Sequence, residues 1–151
     1  MTEVTIRIGH EDFSVEQEVA RLSQKGEAGA VVSFLGVVRG ANDGQTVYAM
    51  ELEHYPGMTE KALRQIVDQA CERWRLEAVT VIHRVGPLKV GDQIVLVVVS
   101  SAHRREAFEA CEYIMDWLKT EAPFWKKETT PNGERWVEAR DSDDEAKRRW
   151  E

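Results

Sequence analysis

Sulfur, metal ligands and positive charge are all sparse in this chain. Only two cysteines occur in 151 residues, Cys71 and Cys111. Both fall within helical apolar patterns, which suits reduced thiols in a cytosolic protein. The four histidines, His10, His54, His83 and His103, lack metal-ligand spacing, so neither a metal nor an organic cofactor is expected. No run of about 18 apolar residues exists to span a membrane. The opening MTEVTIRIGHEDF lacks the charged-then-apolar layout of a signal peptide. Lys and Arg number 20 against 27 Asp and Glu, a net charge of -7. That balance argues against general nucleic-acid binding, where phosphate contacts dominate affinity. Gly26-Glu27-Ala28-Gly29 precedes a strand instead of opening a helix from one, so it is not a dinucleotide loop. Walker sequences, nucleophile elbows, internal repeats and low-complexity segments are absent.

What is present fits one globular domain: 42% hydrophobic and 31% charged residues support a real core. Val4, Ile6 and Ile8 alternate as in a half-buried strand. Ser14-Val15-Glu16-Gln17 has the form of a capping box, with Val15, Val19 and Leu22 on one helical face. Ala28 to Val38 is apolar and β-branched and reads as a buried strand. The turn-rich loop from Arg39 to Gly44 reads as mobile. Val47 to Tyr55 alternates again, and Pro56-Gly57 breaks it. Ala62, Ile66, Ala70 and Trp74 recur at helical spacing within Met58 to Trp74. Strands follow at Ala78–Val85 and Ile94–Ser100, separated by a short excursion between the turns Gly86-Pro87 and Gly91-Asp92. A helix is expected from about His103 to Glu121. Lys126–Thr130 and Glu134–Val137 flank Pro131-Asn132-Gly133 as a hairpin. Residues 141–151 form a charged C-terminal tail in which Ser142-Asp143-Asp144-Glu145 has a helix-start pattern, though such tails fray as often. The expectation is an α+β fold over residues 1–140, a mixed sheet with two long helices and a C-terminal hairpin.

The stretch from Ser100 to Thr129 carries most of the chemistry. A helix start presents unpaired N–H groups and the positive end of a macrodipole, and here His103 and Arg104 add cations to it. Lys119 falls in the last turn beside the apolar face, where it reads either as a snorkelling lysine or as an amine for chemistry. Lys126 and Lys127 are consecutive, so in a strand they point to opposite faces and only one joins Lys119 easily. Lys126 shares its face with Phe124 and Glu128, a mixture that suits a pocket lining. Glu128 reads equally as a neutraliser of a lysine or as a substrate contact. Arg39 follows an apolar strand, at an edge where ligands often bind. Cys111 sits between Ala107 and Met115 as a small buried hydrophobe.

Five motifs occur in order: Phe34-Leu35-Gly36-Val37-Val38-Arg39, Leu52-Glu53-His54-Tyr55-Pro56-Gly57-Met58, Val81-Ile82-His83-Arg84-Val85-Gly86, Ser101-Ala102-His103-Arg104 and Ala122-Pro123-Phe124-Trp125-Lys126-Lys127-Glu128. Together, from about Phe13 to Arg140, the chain resembles the MoaE family, the large subunits of molybdopterin synthase. The resemblance implies an α/β-hammerhead fold and a homodimer of large subunits. It also implies a small ubiquitin-like sulfur-carrier subunit at each end, giving a heterotetramer. The implied reaction converts cyclic pyranopterin monophosphate into molybdopterin by two transfers of sulfur from the carrier's C-terminal thiocarboxylate. It would make Lys119 and Lys126 catalytic. Val37, Val38, Arg39, His103, Arg104, Lys127 and Glu128 would border the substrate, with Arg140 reaching a pocket of the neighbouring large subunit. Phe34 and Met115 would line the entry of the carrier tail. One departure is Val37, where some members carry lysine. A non-catalytic pterin- or phosphate-binding module is the alternative, and a relay through a Cys111 persulfide is a third reading.

Overall fold

Strand Gln93–Ser101 (QIVLVVVSS) is apolar at almost every position because both of its faces are covered. In the computed structural model, which describes residues 2–24, 26–42, 44–137 and 141–151, this strand is β8. It is preceded by β1 (Glu3–Gly9), α1 (Val15–Ser23), β2 (Ala30–Val37), β3 (Ala41–Asn42), β4 (Gln45–Thr46), β5 (Ala49–His54), α2 (Met58–Arg73), β6 (Ala78–Arg84) and β7 (Gly86–Lys89). It is followed by α3 (Arg104–Glu121), β9 (Phe124–Thr130), β10 (Gly133–Val137) and α4 (Asp141–Arg148).

Two four-stranded sheets form, and the first is the mixed sheet expected. The first has the order β1-β6-β8-β2, with β1 and β6 parallel and the other pairs antiparallel. The second, β10-β9-β5-β7, is antiparallel throughout. The short excursion is itself a strand, β7, which pairs with β5 and alternates buried Gly86 and Leu88 with exposed Pro87 and Lys89. Four residues are too few to announce a strand by pattern, and its proline is tolerated because β7 is a sheet edge. The chain passes from one sheet to the other at Val85–Gly86. Gly86 has φ +87°, and a Cβ there would lie 2.4 Å from Nδ1 of His10, so glycine is required.

Helices α2 and α3 cover one face of the first sheet, burying Leu63, Ile66, Val67, Ala110 and Ile114 against Val95, Val97 and Val99. Helix α1 covers the opposite face, where Leu22 meets Ile82, Leu96 and Val98. Ser14 caps α1 by accepting a hydrogen bond from the Gln17 N–H at 3.2 Å. Helix α3 stops at Ala122, which is extended ahead of Pro123. The loop after Arg39 is more ordered than expected: Ala41–Asn42 pairs with Gln45–Thr46, and the Asn42 side chain is buried against β9. Helix α4 lies on α3. Lys147 pairs with Glu121 at 2.7 Å, Arg149 with Glu112 and Asp116, and Trp150 donates to Asp116.

Leu63 is fully buried between α2 and the first sheet. Leu63→Ala is expected to remove about 2–5 kcal/mol of stability with an unchanged m-value, checked by urea unfolding.

Candidate functional site

The two sheets meet where β6 of the first faces β9 of the second. His83, near the end of β6, stacks on Phe124, the first residue of β9, with ring centroids 3.7 Å apart and planes 13° from parallel. His54 ends β5 in register with Phe124, its ring 6.4 Å from the phenyl centroid, and its Nδ1 is buried without a hydrogen-bond partner. Two residues past Phe124, on the same face of β9, comes half-buried Lys126. Lys119 arrives from the last turn of α3, one turn beyond buried Met115.

These groups act on one another. The His83 pKa is pushed down from 6.5 to about 3, first by burial and then by the nearby charges of Lys119, Lys126 and His54, against an opposing hydrogen bond to Arg84. Lys119 and Lys126, on different elements, are thus both near enough for their charges to act on one neutral ring. Arg39 lies toward the same end of the first sheet: Val37 pairs with Gln93 and His83 with Val95, the first residues of β8. Val38, between them, is buried and exchanges backbone hydrogen bonds with Asp92 and Gly91.

His103 and Arg104 are not part of this cluster. His103 is the N-cap of α3 and Arg104 its first residue, both exposed. Sixteen residues of helix separate His103 from Lys119, about 24 Å at 1.5 Å per residue. Lys127 also turns away. It lies on the opposite face of β9 from Lys126, 3.4 Å from Glu134 and over the Trp136 ring. There it lines a cleft of about 260 Å³ together with Glu51, Lys89 and Asp92. Arg140 lies outside the described residues.

Glu128 is buried, 3% exposed, and is held by Asn42 and Arg135. Asn42 donates to both carboxylate oxygens at 3.2 and 3.1 Å, and Arg135 donates through Nε and Nη2 at 3.2 and 3.1 Å. Arg135 also donates to the Asn42 carbonyl, so the clamp ties the segment after Arg39 to the strand that carries Lys126. Phe34 and Val37 are exposed on β2, the edge strand of the first sheet. Cys111 is buried and its thiol is pushed up to about 12 by burial, far from a thiolate at neutral pH.

Sequence reasoning assigned no role to His83, His54, Asn42 or Arg135. The two histidines stand inside the quoted motifs, and only the pairing of the two sheets reveals that they share Phe124.

Two sheets with lysines at their junction make a site able to gather a small anion. The family model described as MoaE protein matches residues 8–121. The chain is 59% identical over 150 residues to the molybdopterin synthase catalytic subunit of Escherichia coli, covering 99% of this chain and 100% of that one. It is 60% identical over 146 residues to the catalytic subunit of Vibrio cholerae, covering 97% of each. The solved MoaE protein of Burkholderia ambifaria superimposes with a TM-score of 0.82 at 54% identity over 97% of each chain. Molybdopterin synthase from Staphylococcus aureus gives 0.81 at 38% identity, covering 87% of this chain and 96% of that one. This chain belongs to the MoaE family.

Burial of neutral His83 has a pH signature. The unfolded chain binds a proton below pH 6.5 that the folded chain refuses until about 3, so this contribution is complete above 6.5 and is lost as pH falls toward 3. His83→Phe is therefore expected to flatten the acid side of the stability curve in that window, read by denaturant unfolding at a series of pH values.

Proposed function

We propose that this chain is the sulfur-transferring subunit of a molybdopterin synthase, the activity for which its relatives are named. It converts cyclic pyranopterin monophosphate into the molybdopterin dithiolene, taking sulfur from the C-terminal thiocarboxylate of a small ubiquitin-like carrier. The observation that carries this reading is the placing of Lys126 on β9 and Lys119 at the end of α3 on either side of Phe124, the residue stacked on His83. Substrate phosphate and thiocarboxylate are both anions, and a chain of net charge -7 needs focused cations to gather them. Opening the cyclic phosphate and adding sulfur require proton transfer and stabilisation of developing negative charge. Two amines on separate elements supply both: one orients the thiocarboxylate or moves a proton, and the other stabilises charge.

Assembly completes the site. The start of α3 stands about 24 Å from Lys119 within one chain. In a homodimer, His103 and Arg104 of one copy serve the lysines of the other, and Arg140 reaches across in the same way. Arg39 belongs to the lysine end of its own chain and holds the phosphate there, with the Val37 and Val38 backbone beside it. The carrier approaches along β2, where Phe34 and, deeper, Met115 offer its tail an apolar wall. One carrier at each end of the dimer gives a heterotetramer, working in the cytoplasm without a resident metal. Glu128 acts through the strand it anchors, and Lys127 borders the site from the outer face.

In a single-turnover assay with cyclic pyranopterin monophosphate and thiocarboxylated carrier, Lys119→Ala and Lys126→Ala are each expected to slow product formation about a hundredfold or more. Cys111→Ser is expected to leave the rate unchanged. Near-normal turnover by Lys119→Ala would overturn the assignment. Tight substrate binding by wild type without product would favour a binding module.

A further inference from the structure

The ring beneath the lysine pair is polar, and its polarity has a direction. His83 is 5% exposed and stacked on Phe124. Its Nδ1 lies 2.8 Å from the Arg84 carbonyl oxygen. A carbonyl can only accept, so in the neutral ring Nδ1 carries the hydrogen and Nε2 keeps a lone pair. Packing against Phe124 alone would be served by an apolar ring, since burying a polar nitrogen is unfavourable unless it bonds. The groups around the ring are the charges of Lys119 from α3 and Lys126 from β9, and His54 from β5. Lys126 is fixed by its strand, two residues from the stacked Phe124. Lys119 is exposed on a long flexible stem at a helix end, so its backbone does not determine where its amine sits. The chain runs from Lys119 to the stacked Phe124 in five residues, out of α3 and into β9.

We propose that His83 is a positioning residue for the reaction, offering Nε2 as the hydrogen-bond acceptor that orients the Lys119 ammonium group when substrate occupies the site. The proposal deepens the lysine assignment and rests on it. A neutral acceptor suits this place. It directs an ammonium group without cancelling its charge, as a carboxylate would, and without repelling it, as a second cation would. The stack on Phe124 links this acceptor to the strand that carries Lys126, so one ring sets the spacing of both amines.

The test compares wild type, His83→Phe, His83→Gln and Lys119→Ala in heterotetramers reconstituted with thiocarboxylated carrier. His83→Phe keeps an aromatic ring on Phe124 but has no lone pair. It is expected to lose about tenfold or more in single-turnover rate at saturating substrate, with substrate KM and carrier affinity unchanged. His83→Gln gives up the stack and keeps an acceptor, and is expected to retain more of the rate. His83→Phe at the wild-type rate beside an inactive Lys119→Ala would overturn the positioning role and leave the lysine assignment standing. A slower His83→Gln than His83→Phe would show that packing alone matters and would also overturn it. Nitrogen-15 NMR of wild type tests the same point without a variant at position 83. An unprotonated Nε2 that shifts on substrate binding, a shift missing in Lys119→Ala, supports the proposal, and a protonated Nε2 refutes it. Inactive wild type would sink the lysine reading and this inference with it.

Discussion

The stacking of His83 on Phe124 is the contact on which the geometry of the site depends. It joins the two sheets where the chain has just crossed between them, at Val85–Gly86. One side of the joint rests on β6, which lies between β1 and β8 and is buried along nearly its whole length. The other side begins β9, the strand that carries Lys126. Any change in the angle between the sheets would move Lys126 relative to Lys119, because one amine follows the second sheet and the other follows α3 on the first. Aromatic stacking with a fixed imidazole tautomer makes that angle specific.

A second restraint acts further along the same strand. Glu128 is buried, and its negative charge is tolerated because Asn42 and Arg135 satisfy both oxygens. Removing either partner would leave a buried carboxylate with half of these donors. The clamp fixes β9 against β10 and against the segment after Arg39, so both ends of the Lys126 strand are held. The proposed site is thus built on strands and a helix end, with little left to loops, an arrangement that would hold two amines at a defined separation.

Much of this was legible in the sequence, and the physical reasons are specific. The apolar run of β8 announced a strand, and Pro123 after Ala122 announced the end of α3. The run from Ala28 to Val38, read as buried, instead forms the edge strand β2 with Phe34, Leu35 and Val37 exposed. Alternation along Phe124–Thr130 correctly put Lys126 with Phe124 and Glu128 and set Lys127 apart. Local pattern failed where the answer depends on nonlocal pairing. The division into two sheets, the four-residue strand β7 and the partners of Glu128 all involve residues far apart in sequence. His83 and His54 were visible as motif residues without a role, since their relation exists only through Phe124. Cations at both ends of α3 were legible in the sequence, and helix length separates the two sets within a chain.

The measurement that tests the account most directly is quantitative mass spectrometry of one turnover by the wild-type heterotetramer, following the carrier C-terminus and the pterin together. Transfer of sulfur predicts two carrier tails converted from thiocarboxylate to carboxylate for each pterin that gains a dithiolene. Pterin held unchanged while the thiocarboxylate tails stay intact would contradict it and leave the lysine pair as a binding site alone.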